Sequence, residues 1–189
     1  MNREFFHVDT LTAAERLIGC DLVRIIDGRE VIVRITETEA YKGKDDPASH
    51  AYRGMTPRNQ VMFGKPGRLY IYLSYGMHYC MNIVTEAEGV PGAVLIRGAV
   101  PLKGIDVIRE RRNHAPDRQL LNGPGKLTQG LALDLSWNGY DLCAQQDGPL
   151  QIHPGVRLPF RRTKRIGISR ATDYLWRFVA DGDGSRSSV

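Results

Sequence analysis

The chain has 189 residues with 42% hydrophobic, 25% charged and 8% aromatic content, the profile of an ordinary globular protein long enough for one domain with a full core. Its formal net charge of +5 is a modest excess that points only weakly to an acidic partner. MNREFFHVDT lacks the apolar stretch of a signal peptide, no apolar run could span a bilayer, and the three cysteines and five histidines are scattered. These features predict a cytoplasmic chain with no membrane segment, disulfide framework, structural zinc or metal centre.

Thr12-Ala-Ala-Glu15 reads as a capping box opening a short helix, with Gly19 placed to stop it. CDLVRII (20–26), Asp27-Gly28 and REVIVRITETEAY (29–41) predict a strand, a tight turn and a long strand, Asp-Gly being a strong hairpin signal. In the long strand the odd positions run Val31, Val33, Ile35, Glu37, Glu39, Tyr41, so both carboxylates continue the apolar face. Burying a carboxylate is costly unless it is paired or has a task. Either the strand twists or bulges so that the glutamates meet water or an arginine, or one of them is a general base inside a cleft. Residues 42–65 are polar and rich in Gly, Pro, Asp and Asn. They predict a long irregular loop, and loops of that length in a compact domain are usually functional.

RLYIYLSYGMHYCMNIV (68–84) is the stretch around which the chain is organised. Tyr70, Tyr72, His78 and Asn82 fall on even positions, and Leu69, Ile71, Leu73, Met81 and Ile83 on odd ones, giving a ribbon with one polar-aromatic and one aliphatic face. A two-residue loop at Tyr75-Gly76 sets Leu73 against His78 and mixes the faces. A three-residue loop, Tyr75 to Met77, sets Ser74 opposite His78 and Tyr70 opposite Asn82, so parity predicts the longer loop with Gly76 available for a positive φ. Two large apolar side chains, Tyr75 and Met77, then stand near an exposed tip. Turns are usually polar, so a partner surface is predicted to receive them.

GAVLIRGAV (92–100) predicts a strand with Arg97 among aliphatics. Its expected partner is an acid such as Glu39, and that pair would hold the glutamate's pKa down and keep it basic at neutral pH. LKGIDVIRERR (102–112) predicts a helix, GPGKLTQGLALD (123–134) a glycine-proline turn feeding another, and IHPGVRL, KRIGISR and YLWRFVA the closing strands. GPGK lacks Walker spacing, although amides beside Lys126 suit a phosphate. Six basic residues and no acid lie between Arg157 and Arg170. That run reads first as a solvated face, and in company with the ribbon as a track for phosphates. Tyr41, His50 and Tyr72 could line a slot for a flat ring, although each alone reads as core packing. The tail from Asp181 reads as disordered, leaving residues 1–180 as one domain.

Together, ITETEAY, HAYRGMTPRN, YIYLSYGMHYCMN, VLIRG and GPGKL resemble the 3-methyladenine DNA glycosylases of the alkyladenine type, in the same order over most of the chain. The resemblance implies an α+β fold: a single mixed domain with a curved, open barrel-like antiparallel sheet, peripheral helices and a protruding β-hairpin. It implies a hairpin in the minor groove of double-stranded DNA containing a damaged purine, with Tyr75 filling the space of the extruded nucleotide and Met77 beside it. Tyr41, His50 and Tyr72 match the residues that stack on the damaged base, and Asn82 the asparagine that rejects guanine through its 2-amino group. Thr56 and Lys126 match positions near the DNA backbone, Glu39 the general base, and Arg97 the arginine that helps place the water. With no lysine at the position of the base, a monofunctional hydrolase without cofactor is expected, acting as a monomer. Its substrates would be of the 3-methyladenine type, with hypoxanthine and etheno-adenine as candidate further lesions. Two alternatives stand beside this reading: a non-catalytic lesion-sensing or nucleic-acid-binding module, and a formyltransferase-like domain with no wedge at Tyr75. Glu39 and Arg97 together favour the enzyme, because a pure binder has no need of a buried base.

Overall fold

The computed structural model describes residues 1–144 and 147–182. Eight strands form one antiparallel sheet: β1 (Asp21–Ile26), β2 (Arg29–Tyr41), β3 (Leu69–Ser74), β4 (His78–Val84), β5 (Ala93–Lys103), β6 (Leu150–His153), β7 (Phe160–Thr163) and β8 (Arg177–Ala180). Among the described residues three short α-helices, α1 (Thr10–Leu17), α2 (Ile105–Arg111) and α3 (Pro124–Gly130), lie against it. The strand order is β3-β4-β5-β2-β1-β6, with β8 pairing with both β2 and β7. β2 is therefore the spine: β5 covers one edge along its length, while β1 takes the first half of the other edge and β8 the second. A spine that changes partners midway curls the sheet, giving the α+β half-barrel expected from the resemblance. Among the described residues no helix is long and apolar enough to cross a membrane.

Local chemistry explains the turns. Asp27 and Gly28 both take positive φ (50° and 76°), and Ile26 pairs directly with Arg29, the two-residue turn that Asp-Gly favours. In the β3–β4 hairpin Ser74 pairs with His78 and Tyr70 with Asn82, the register that parity predicts. Both Tyr75 (φ 50°) and Gly76 (φ 69°) sit in the left-handed region, and the Met77 N–H donates to the Ser74 carbonyl at 3.1 Å. A tyrosine held there stores about 1–2 kcal/mol of strain, and such outliers cluster where function needs them.

Several boundaries differ from expectation. The cap of α1 is Asp9, whose carboxylate accepts the N–H of Leu11 (2.9 Å) and Thr12 (3.5 Å), so Thr12 lies inside the helix rather than capping it. That phase buries Ala13, Ala14 and Leu17. Leu102 and Lys103 continue β5, and Gly104 in a left-handed conformation (φ 70°) makes the switch into α2. KRIGISR forms no strand; β7 lies just before it, because Arg165 is drawn into the interior by an acid. β8 takes only the second half of YLWRFVA, and IHPGVRL is a strand only at its start. Asp181, at the head of the predicted disordered tail, is held: its N–H donates to Pro159 and its carboxylate meets Arg161 at 2.9 Å. Residues 183–189 lie outside the described residues.

Candidate active site

The site begins with two facing bulges. Between β2 and β5, Ile35 pairs with Ala99, Glu37 with Gly98 and Thr38 with Ile96, which leaves Thr36 and Arg97 as the extra residues on their strands. Each strand changes face once at this point. Ile35 and Ala40, five residues apart, both join the aliphatic core, as do Ile96 and Ala99. Glu37, Glu39, Tyr41, Leu95 and Arg97 are thereby turned to the opposite side of the sheet. The carboxylates do not continue the apolar face; the bulge reverses it, as bulges beside functional sites commonly do.

On that side lies a cavity of 480 Å³ whose lining includes Tyr41, His50, Tyr72, Asn82, Arg97 and Ile166, with Tyr75 at its mouth. Its size suits a small flat ligand. His50 meets Tyr72 edge-on at 4.6 Å between ring centres, and its Nδ1 lies 2.9 Å from the Tyr70 hydroxyl. Burial, and then the charge of Arg58, lower the His50 pKa, so its ring is neutral at neutral pH. Burial raises the pKa of the tyrosine hydroxyls, that of Tyr70 to about 12. Asn82 donates its amide N–H to the carbonyls of Tyr70 (3.0 Å) and Cys80 (3.4 Å), which fixes the amide's orientation at the cavity wall.

Glu39 is fully buried and stands just behind this wall. It accepts the Ile166 N–H at 2.8 Å and the Tyr41 hydroxyl at 2.7 Å, and Arg97 approaches at 3.4 Å. All three contacting groups line the cavity. Arg97 is nearer to Glu37, at 3.0 Å, than to Glu39, and Arg177 joins Glu37 at 2.6 Å. The expected Arg97–Glu39 pair exists, but it is the longer of Arg97's two carboxylate contacts. The expectation that the pair keeps the Glu39 pKa low is also reversed. Burial dominates and raises it, with Arg97, the Ile166 N–H and the Tyr41 hydroxyl opposing, and with the Glu37 charge adding to the rise.

Of the remaining candidates, Tyr75 alone reaches the cavity lining; Met77, Thr56 and Lys126 do not. Tyr75 is 83% and Met77 72% exposed, at the hairpin tip. Thr56 lines a neighbouring groove together with Arg53 and Arg170. Lys126 sits on α3 with its ammonium on Asn122 at 2.8 Å, and α3 packs against the start of β4 just behind the hairpin tip, where Thr128 donates to the Tyr79 carbonyl. The basic run is not one surface. Arg165 is buried in a two-pronged pair with Asp46, both contacts 2.7 Å, with its guanidinium 4.7 Å from the Tyr41 ring. Arg161 pairs with Asp181 and Arg162 with Glu15. Sequence reasoning missed Glu37 as the nearer partner of Arg97, Arg165 as the brace of Tyr41, and the Ile166 N–H. Only the twin glutamates carried a local signal.

A pocket lined by aromatic rings is the kind of site used by enzymes that act on a single nucleobase. Comparison with known proteins supplies the particular family. The chain belongs to the methylpurine-DNA glycosylase family, whose model matches residues 4–184. A protein of Carboxydothermus hydrogenoformans is 50% identical over 179 residues, covering 93% of this chain and 92% of that one. One of Chlorobaculum tepidum is 48% identical over 186 residues (95% and 87%), and one of Desulfitobacterium hafniense 44% over 193 (96% and 95%). Each is named provisionally as a 3-methyladenine DNA glycosylase. The chain is accordingly a DNA N-glycosylase, a hydrolase of DNA repair directed at alkylation damage.

Proposed function

We propose that residues 1–180 act as one monomeric domain, in the cytoplasm, on double-stranded DNA containing damaged purines. Tyr75 replaces a purine that has left the stack, with Met77 beside it, and the purine enters the cavity between Tyr41, His50 and Tyr72. Extrusion costs roughly a few kcal/mol, least for a damaged base. Asn82, its amide fixed by two backbone carbonyls, crowds the 2-amino group of guanine. Thr56 and Lys126 meet the DNA backbone on either side.

In this reading cleavage is hydrolytic. As the N-glycosidic bond breaks, its electron pair leaves with the purine and positive charge builds on the sugar, as in glycoside hydrolysis. Water adds at the anomeric carbon and gives its proton to Glu39, whose charge also opposes that of the sugar. Arg97 helps place the water. An alkylated purine already carries positive charge and leaves neutral. Hypoxanthine and etheno-adenine must gain a proton on leaving, so they are the slower substrates. The observation that carries the proposal is Glu39, buried and held by three groups that each line the cavity. Incubation with a duplex holding one methylated purine should yield alkali-labile abasic sites. Tight lesion binding without product would support the non-catalytic module instead.

Two further results follow from the geometry. Base–aromatic stacking is worth about 1–3 kcal/mol, so Tyr75→Ser should weaken binding to lesion duplex by that amount and lower excision with it. Unchanged affinity and rate in a titration and single-turnover assay would remove the wedge role. The second result concerns pH. Glu39 acts ionised, and its pKa lies above the ordinary glutamate value of 4.5. Excision should therefore fall on acidification with a midpoint above 4.5, and an acid limb at or below that value would mean that Arg97 wins over burial.

A further inference from the structure

We propose that Glu37 is a positioning residue for the reaction, anchoring the Arg97 guanidinium at the cavity wall so that Glu39 is left to face the water. The inference rests on the reading of Glu39 as the base. Glu37 and Glu39, two residues apart on β2, share one side of the sheet, and the facing bulges turn that side to the cavity. Glu37 is 2% exposed, and a single oxygen, Oε1, accepts from Arg97 Nε at 3.0 Å and from Arg177 Nε at 2.6 Å. Arg177 is itself fixed by donating to the Thr163 hydroxyl at 3.1 Å. Gly98 lies opposite, and a Cβ there would come within 3.3 Å of the Glu37 Cβ, so the backbone leaves room for the carboxylate.

Two buried acids and two arginines make a neutral cluster, but the sharing is unequal. Glu37 holds both guanidinium groups by short contacts, whereas Glu39 receives its short contacts from an uncharged hydroxyl and a backbone N–H. Without Glu37, Arg97 would have Glu39 as the one acid left in contact among the described residues and would close onto it. That movement takes Arg97 from the cavity wall and spends the lone pairs the water needs. The other groups around the pair are Tyr41 on β2, with the Arg165 guanidinium behind its ring, and Tyr72 and Cys80 on β3 and β4 across the cavity.

The test is Glu37→Gln, which keeps the shape and removes the charge. At neutral pH kcat per active site should fall about tenfold to a hundredfold, the cost of misplacing a reacting group by an ångström or so, with KM for lesion duplex unchanged. Because the Glu37 charge raises the Glu39 pKa, its removal should move the acid limb of the pH profile to lower pH. A structural ion pair alone would lower the folded fraction and leave kcat per active site where it was; that result overturns the proposal. Glu37→Asp is the second variant if Glu37→Gln does not fold. It keeps the charge with a shorter reach, so it should lose kcat without moving the limb, and wild-type kcat there is equally contradictory. Glu39→Gln in the same assay separates the two claims. If it is inactive while the Glu37 variants match wild type, only this inference fails; if it is active, the underlying reading fails.

Discussion

Replacing Arg165 with alanine should lower folding stability by about 3–5 kcal/mol, the usual cost of stripping one partner from a buried ion pair. Both side chains of the Arg165–Asp46 pair are wholly shielded from solvent. Asp46 also accepts the backbone N–H of Lys42 and of Ala48, each at 3.1 Å, so its carboxylate stays in place when the arginine goes. It is then a buried charge with no cation. Arg165 further donates to the Ala40 carbonyl at 2.9 Å and lies between the rings of Tyr41 and Trp176. The loss reaches the cavity by two routes: Tyr41 loses the group braced against it, and the 42–65 loop that carries His50 loses its tie to the segment holding Ile166. Urea unfolding of Arg165→Ala should show the deficit as a lower midpoint. A loss below about 1 kcal/mol would place the pair among exposed ones.

This pair shows where the sequence stops being legible. Asp46 and Arg165 are 119 positions apart, and nothing local distinguishes Arg165 from the five other basic residues of its run, so a solvated or phosphate-facing stretch was the natural reading. The hairpin was legible because its rules are short-range: strand period, parity across a loop and the φ demanded of a turn residue together fix Ser74 against His78. Glu39 lies between these cases. That the strand carries buried acids was visible, because carboxylates among valines and isoleucines demand an explanation, but only the family resemblance singled out Glu39 from Glu37. Its face was not visible, because strict alternation runs unbroken through TETEAY and the bulge depends on what β5 brings opposite, Arg97 and Gly98. The direction of its pKa was out of reach for a related reason: burial outweighs a paired arginine only when the depth of burial is known. At α1 the structure caps the helix with Asp9 in place of the expected Thr12, in the phase that buries Ala13, Ala14 and Leu17.

The largest expected change in activity is that of Glu39→Gln. The amide matches the carboxylate in shape and retains an oxygen for the Ile166 N–H, but it has neither the charge to face the sugar nor the basicity to take a proton. General-base catalysis typically contributes about 10²–10⁴-fold, and the lost charge adds to that. Folding should be preserved, since the desolvation of the carboxylate disappears with its charge while Arg97 keeps Glu37. Single-turnover excision from a duplex bearing one methylated purine, measured beside equilibrium binding to the same duplex, is the decisive experiment. The account predicts a drop of at least about a hundredfold in excision with lesion affinity unchanged. Excision within tenfold of wild type would contradict it and move the base to another residue.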